Sequence, residues 1–128
     1  MRPVRLLLVD DHEAFLKAAE RHLRRIDHVE LVGRGHDGLE AVSLADALKP
    51  DVVVLDLAMP GMGGLQATRL IKAQDEPPFV VVASHFDDAE HREHARRAGA
   101  DAFISKLNYI AELLPLLDER ARQARGGA

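Results

Sequence analysis

Four apolar runs of this sequence lead directly into side chains that can do chemistry. The runs cover residues 6–9, 52–55, 80–83 and 102–105, and the groups that follow them are Asp10, Asp11, Asp56, Ser84 and Lys106. A buried strand that ends at a polar group delivers that group to one edge of a sheet. Strands of this kind would assemble three carboxylates, a hydroxyl and an ammonium. Such a set suits a divalent cation and a transferred phosphoryl group.

The three carboxylates cannot all stay ionised at close range without a compensating positive charge. Mg²⁺ suits a site with few carboxylates, retained water molecules and a phosphate ligand. An aspartate oxygen can then act as a nucleophile and form an acyl phosphate. Lys106 can pair with one phosphate oxygen as a point charge, and the hydroxyl of Ser84 can donate to another.

The elements that would position these groups alternate between strand and helix five times. We expect strands at about residues 4–9, 29–34, 52–55, 79–83 and 102–105. The helices should begin at N-caps such as Asp11, Asp37 and Asp87 or Asp88, with the third over about 65–73, the fourth ending at Gly99 and the fifth beginning near Asn108. Strict alternation predicts a parallel sheet covered by helices on both faces, which binds ligands at the carboxyl ends of its strands.

Composition narrows the class of protein. A chain of 128 residues predicts one domain over residues 1–128, with about 120–128 as a frayed helix end or the start of a linker. The net charge of −4 does not favour direct nucleic-acid binding, and the lack of cysteine is compatible with a cytoplasmic protein. No apolar run approaches the roughly 20 residues of a membrane span, and the N-terminal run is too short for a signal peptide.

The motifs together resemble the receiver domain of two-component response regulators over essentially the whole chain. The segments that carry the resemblance are Val9-Asp10-Asp11-His12, the stretch from Leu55 to Gly64, Ala83-Ser84 and Ser105-Lys106. The segments 8–13 and 35–41 look most like receivers that precede helix-turn-helix output domains of the LuxR type. The resemblance implies a flavodoxin-like doubly wound (βα)5 fold with strand order 2-1-3-4-5.

The resemblance also implies a role for each matching position. Asp56 would be the phosphoacceptor, and the Mg²⁺ ligands would be Asp11, Asp56, the backbone carbonyl of Ala58 and, mostly through water, Asp10. Ser84 would contact the attached phosphoryl group and Lys106 would bridge to it. Phe103 matches the aromatic switch residue of the last strand.

The implied partner is a sensor histidine kinase that donates the phosphoryl group. A C-terminal DNA-binding output domain and a phosphorylation-dependent homodimer are further expectations. The chain would then be a signalling switch that contributes to its own phosphorylation and dephosphorylation. It is either a stand-alone receiver or the N-terminal domain of a transcription factor, and the resemblance favours the second.

Three positions depart from the family's pattern. Leu107 stands where a proline, often in cis, commonly follows the lysine, and Ser84 replaces a commoner threonine. Pro115 lies inside the expected fifth helix, where proline removes a hydrogen bond and costs roughly 3 kcal/mol. We therefore expect either a bend at 111–115 or a helix that begins afresh at Pro115.

Other functions fit parts of the pattern. A receiver-like interaction module that works without phosphorylation stays open because of Leu107 and Pro115. An aspartyl-phosphate hydrolase would usually carry a second aspartate where Ala58 stands, and a flavin carrier would have a hydroxyl- and glycine-rich loop after the first strand. His91 and His94 share a helix face, but their charged neighbours favour a solvated surface over a transition-metal site.

Overall fold

The computed structural model describes residues 2–59 and 61–126, with side chains described up to residue 123. Five strands alternate with five α-helices. The strands are β1 (Val4–Val9), β2 (Val29–Gly35), β3 (Val52–Asp56), β4 (Phe79–Ser84) and β5 (Ala102–Ser105). The helices are α1 (Glu13–Leu23), α2 (Gly38–Leu48), α3 (Gly64–Lys72), α4 (Ala89–Ala98) and α5 (Tyr109–Gly126), and a 3₁₀ turn, Lys106–Asn108, connects β5 to α5.

All strand pairs of the sheet are parallel, and the strand order is β2-β1-β3-β4-β5. The predicted doubly wound, flavodoxin-like fold is therefore confirmed. Because β1 lies between β2 and β3, its end at Val9 is next to the end of β3, where Val9 pairs with Leu55. One step along, Asp56 pairs with Ala83 at the end of β4. The register thus aligns the chemical groups along one edge.

The core has two layers, one on each face of the sheet. Alternate residues of β1 point to opposite faces, as the pleat requires. Leu6 and Leu8 pack on the side of α1 and α5, and Leu7 and Val9 pack on the side of α2 and α3. Every residue of β3 is buried, which explains its continuously apolar sequence up to the aspartate. None of the described helices is long and apolar enough to cross a bilayer.

The helix ends follow the predicted capping residues with one exception. The side chain of Asp37 accepts a hydrogen bond from the amide of Glu40, and Asp88 does the same for His91, both at 2.8 Å. Gly99 ends α4 with a positive φ of 102°, which favours glycine. The prediction of Asp11 as the cap of α1 is wrong, because His12 occupies that position.

Helix α5 runs without interruption from Tyr109 to Gly126, with Pro115 inside it. A helix that begins afresh at Pro115 is therefore not formed. Leu113 and Leu117 are fully buried, so packing on both sides of the proline favours a continuous helix. Pro115 itself and Ala111, whose carbonyl loses its amide partner, are exposed, so water can satisfy that carbonyl.

Candidate functional site

The aspartates at the ends of β1 and β3 form an acidic cluster at the carboxyl edge of the sheet. Asp10 is completely buried and Asp56 is 5% exposed, whereas the side chain of Asp11 is partly exposed. One ligand atom from each of these residues and from His12 lies within 4.8 Å of all the others. The predicted gathering of three carboxylates in one place is what the structure contains.

Lys106 brings a buried positive charge to this cluster. Its Nζ lies 2.6 Å from Asp10 Oδ2 and 3.6 Å from Asp56 Oδ1, and its side chain is 1% exposed. The ring of Phe15 in α1 lies under the ammonium, with its centroid 4.6 Å away. This contact adds a favourable cation–π interaction. The two negative neighbours and the aromatic ring hold the ammonium between Asp10 and Asp56, although the common proline is replaced by Leu107.

Ser84 ends β4, the strand next to Asp56, and its side chain is buried. Its Oγ accepts a hydrogen bond from the amide of Phe86 at 3.0 Å. The hydroxyl therefore fixes the first turn of the loop between β4 and α4. A group that competes with the Phe86 amide for this hydroxyl would therefore disturb the loop between β4 and α4.

The backbone around Asp56 is held closely by the start of α3. Gly64 approaches the carbonyl oxygen of Asp56 so closely that any side chain there would collide with it. The hydroxyl of Thr68, one turn later, donates to the carbonyl of Gly64 at 2.7 Å. The amide of Ala58 donates to the Asp56 carboxylate. The glycine thus lets α3 support the strand end that carries Asp56.

Phe103 lies on β5 away from the acidic cluster, in contact with α4. It is half-buried, and the guanidinium of Arg92 lies 4.9 Å from the centre of its ring. Arg92 Nε in turn donates to Asp87 Oδ1 at 2.5 Å. These contacts connect Phe103 to the loop that Ser84 fixes.

The pKa of Asp56 is raised from 3.8 to about 6. Burial is the largest cause, because it disfavours the charged form, and the negative charge of Asp10 adds to it. Lys106 opposes both effects, and Asp11 raises the pKa further. The net result is a carboxyl group that is harder to ionise than an ordinary aspartate.

The donor set fits a hard divalent cation. Asp10 Oδ2 and Lys106 Nζ are both buried, and apart from their own 2.6 Å ion pair neither has a hydrogen-bond partner within the described structure. The cluster carries three negative charges against one ammonium, so it retains an excess of negative charge. Oxygen donors with this excess are what Mg²⁺ requires. Within residues 2–59 and 61–126, a group of three or more such ligands occurs at this place alone.

The structure brings Asp10, Asp11, Asp56 and Lys106 into one site and puts Ser84 on the neighbouring strand end. Sequence reasoning missed two contributors. His12 belongs to the cluster through its imidazole, and its position directly after two aspartates was the available signal. Phe15, four residues after Asp11, contacts the ammonium of Lys106 with its ring. Apolar periodicity alone predicts only a core position for this residue.

Comparison with known proteins identifies the family. The profile of the response regulator receiver domain matches residues 6–118. The transcriptional regulatory protein LiaR of Bacillus subtilis is 36% identical over 110 residues, which are 86% of this chain and 52% of that protein. The response regulator GacA of Pseudomonas viridiflava is 35% identical over 111 residues, 87% of this chain and 52% of that protein. The chain thus spans about half the length of these curated relatives.

Solved structures agree with this assignment. The receiver domain of the response regulator NarL from Mycobacterium tuberculosis superposes with a TM-score of 0.83 at 30% identity, covering 92% of this chain and 98% of that one. A LuxR-family response regulator from Aurantimonas sp. SI85-9A1 gives a TM-score of 0.86 at 30% identity, covering 94% of this chain and 86% of that one. The chain described here belongs to the response regulator receiver domain family of two-component systems.

Proposed function

We propose that this receiver domain accepts a phosphoryl group on Asp56 from the phosphohistidine of a sensor histidine kinase. The observation that carries the proposal is the position of Asp56 within reach of both Lys106 and the other carboxylates, at the end of the central strand. Lys106 Nζ lies 3.6 Å from Asp56 Oδ1. The ammonium could therefore contact an oxygen of a phosphoryl group attached to this carboxylate. A phosphoryl group on Asp56 would lie beside the ammonium of Lys106 and beside Asp10 and Asp11, the two carboxylates that would help to bind a metal cation.

In the proposed transfer, a carboxylate oxygen of Asp56 attacks phosphorus while the bond from phosphorus to the donor imidazole nitrogen breaks. The product is an acyl phosphate on Asp56. The donor ring, protonated at its other nitrogen before the transfer, leaves as a neutral imidazole with the electron pair of the broken bond. Lys106 stabilises the negative charge on one phosphoryl oxygen throughout. Ser84 Oγ donates its proton to another phosphoryl oxygen once the group is attached. Hydrolysis of the acyl phosphate by water returns Asp56 to its starting state.

Asp10, Asp11, Asp56 and the carbonyl of Ala58 would hold Mg²⁺. The bound cation supplies charge neutralisation between the acceptor carboxylate and the incoming phosphoryl group. The exposed side chain of Asp11 leaves one side of the cluster open to solvent, so water ligands are retained and a weak, exchangeable site is expected.

The metal assignment is tested by titrating Mg²⁺ into the protein and into Asp11→Ala. Loss of one direct carboxylate should weaken binding at least about tenfold. Asp75→Asn, an exposed aspartate outside the cluster, is the matched control and should bind as the wild type does. Equal affinities for wild type and Asp11→Ala would contradict the assignment.

Phosphorylation would act as a switch for partners. We infer that this domain works in the cytoplasm and controls a C-terminal DNA-binding domain, as in the LuxR-family regulators it is similar to. A homodimer that forms on phosphorylation is a further part of the proposal. Two large apolar side chains beside the site, Phe86 and Leu107, are 61% and 78% exposed and offer contact surface to the kinase.

Acetyl phosphate tests the central claim without the kinase. Incubation with Mg²⁺ should add one phosphoryl group to the protein, detected by intact mass. The label should disappear in Asp56→Asn and persist in Asp75→Asn. A label that survives Asp56→Asn would refute the acceptor assignment. No label on the wild type under the same conditions would favour the alternative, a receiver-like interaction module that works without phosphorylation.

A further inference from the structure

The imidazole of His12 lies on the open side of the acidic cluster. Its Nδ1 is 3.1 Å from Asp10 Oδ1 and 3.2 Å from Asp11 Oδ1. The ring is 61% exposed, whereas Asp10 is fully buried, so His12 forms the outer wall of the cluster. Asp56 completes the group, with every ligand atom within 4.8 Å of the others.

Helix capping does not account for this position of the ring. His12 occupies the N-cap position of α1, but its side chain makes no hydrogen bond to the helix. The backbone is fixed independently, because the His12 amide donates to Asp10 Oδ1 at 2.8 Å. The ring therefore makes no capping contact with the helix. It is turned towards the two carboxylates, with Nδ1 at hydrogen-bond distance from Asp10 Oδ1.

The spacing matches that of neighbouring ligands around one metal ion. Adjacent ligand atoms of an octahedral ion with bonds of about 2.1 Å lie roughly 3 Å apart. Both distances from His12 Nδ1 have this size. Imidazole nitrogen suits the later first-row transition ions, whereas oxygen ligands suit Mg²⁺, Ca²⁺ and Mn²⁺. One nitrogen in the set therefore changes which ion binds best.

We propose that His12 Nδ1 is a direct ligand of the metal ion bound by Asp10, Asp11 and Asp56. This ligand gives the site a preference for later divalent transition ions such as Co²⁺ and Ni²⁺ over Mg²⁺. The inference rests on the proposed metal site of the receiver, but it concerns an atom that the phosphoryl transfer does not need.

Electron spin-echo spectroscopy of the Mn²⁺ complex tests the bond directly. The wild type should show the ¹⁴N modulation of a coordinated imidazole, and the signal should change to that of ¹⁵N when only histidine is isotope-labelled. His12→Asn should lose the modulation. His94→Asn, an exposed histidine of α4, is the control and should keep it. Modulation that persists in a folded His12→Asn variant, or none in the wild type, would overturn the inference.

Metal titrations give a second readout that does not depend on spectroscopy. The ratio of Co²⁺ to Mg²⁺ affinity should fall about tenfold in His12→Asn and stay unchanged in His94→Asn. An unchanged ratio in His12→Asn would mean that His12 only donates a hydrogen bond to the carboxylates.

The two proposals fail separately. If the wild type takes up a phosphoryl group on Asp56 but shows no nitrogen coupling, the inference about His12 fails and the proposed function stands. If the label survives Asp56→Asn, the proposed function fails, and the nitrogen coupling still decides the question of His12.

Discussion

At the residue scale, Asp56 combines two demands that oppose each other. Burial would protect the proposed acyl phosphate from solvent, but the same burial and the charge of Asp10 raise the pKa of the carboxyl to about 6. Only the ionised carboxylate is a nucleophile. Lys106 at 3.6 Å favours the ionised form, and a bound cation would favour it further. The site is therefore most reactive when positive charge is supplied.

This raised pKa predicts a stability effect with a definite sign. The pKa of Asp56 is about 6 in the folded protein and 3.8 as an ordinary aspartate, so the folded state binds more protons between these values. Stability then falls as the pH rises through that window, and the penalty persists above it. Asp56→Asn should raise the free energy of unfolding at pH 7.5 by an amount on the order of 2 kcal/mol, without divalent ions.

Urea unfolding in the presence of a chelator measures the difference at pH 7.5 and pH 4. The gain of Asp56→Asn should shrink to a small residual at pH 4, where Asp56 is protonated in the folded protein and only about half ionised in the unfolded chain. Asp75→Asn controls for the loss of one negative charge. A gain that is equal at both pH values would show that charge at Asp56 is not its cause.

The acidic cluster and its lysine could be predicted from residue types at strand ends, because register in a parallel sheet aligns such ends. The position of the His12 ring beside these carboxylates could not be predicted in this way. Whether a histidine turns towards carboxylates or towards its own helix depends on backbone angles at the cap, which the sequence does not encode locally. The same uncertainty made Asp11 look like the cap of α1, although its side chain belongs to the cluster.

At the element scale, the loop between β4 and α4 connects the proposed phosphorylation site to Phe103. Ser84 Oγ holds the amide of Phe86, Asp87 holds Arg92, and Arg92 covers the ring of Phe103. A phosphoryl group on Asp56 would draw the Ser84 hydroxyl and shift this loop. Arg92 would then move from Phe103, which frees the ring to turn inward.

Arg92→Gln should release Phe103 without phosphorylation. An exposed cation–π contact contributes about 0.5–1 kcal/mol, so its loss should raise the inward population of the ring roughly two- to fivefold. NMR of fluorine-labelled phenylalanine reports this population. Arg97→Gln, which loses a contact to Glu93 but none to Phe103, should leave it unchanged. A spectrum of Arg92→Gln identical to that of the wild type would argue against the connection.

Pro115 lowers the stability of helix α5, and a substitution can remove this effect. Pro115 is exposed and sits in a continuous helix, so its missing amide is not compensated by buried contacts. Pro115→Ala should raise the free energy of unfolding by about 2 kcal/mol, after allowing for the more flexible unfolded chain. Thermal or urea unfolding measures this, with Gln123→Ala on the same helix expected to change little. Destabilisation by Pro115→Ala would show that the proline serves the fold.

The strands were predictable almost to the residue because all but β2 contain a short apolar run bounded by turn residues. The irregular pairing of β1 and β2, where Leu6 pairs with Leu31 but Leu7 with Gly33, was not. It depends on how two strands fit each other rather than on either sequence. The continuity of α5 through Pro115 likewise depends on Leu113 and Leu117 being buried against other elements.

At the scale of the whole molecule, access to Asp56 is narrow. Its side chain is 6% exposed, and the loops after β4 and β5 stand beside it with Phe86 and Leu107 turned to solvent. A phosphoryl donor to Asp56 would therefore have to present a protruding group, as a phosphohistidine on a helix surface would. A small donor such as acetyl phosphate would need less room, which is why it serves as a test.

The strand order also fixes a sequence of events during synthesis. Residues 1–56 contain β1, β2 and β3, which are adjacent in the sheet, and each later strand adds at the growing β3 side. In the nascent chain all three aspartates therefore emerge about fifty residues before Lys106. A half-sheet formed before β5 docks would carry the repulsion of the three carboxylates without the lysine. Pulsed hydrogen exchange during refolding should accordingly find β3 amides protected late, together with β5, unless a divalent ion is present to take the place of the lysine.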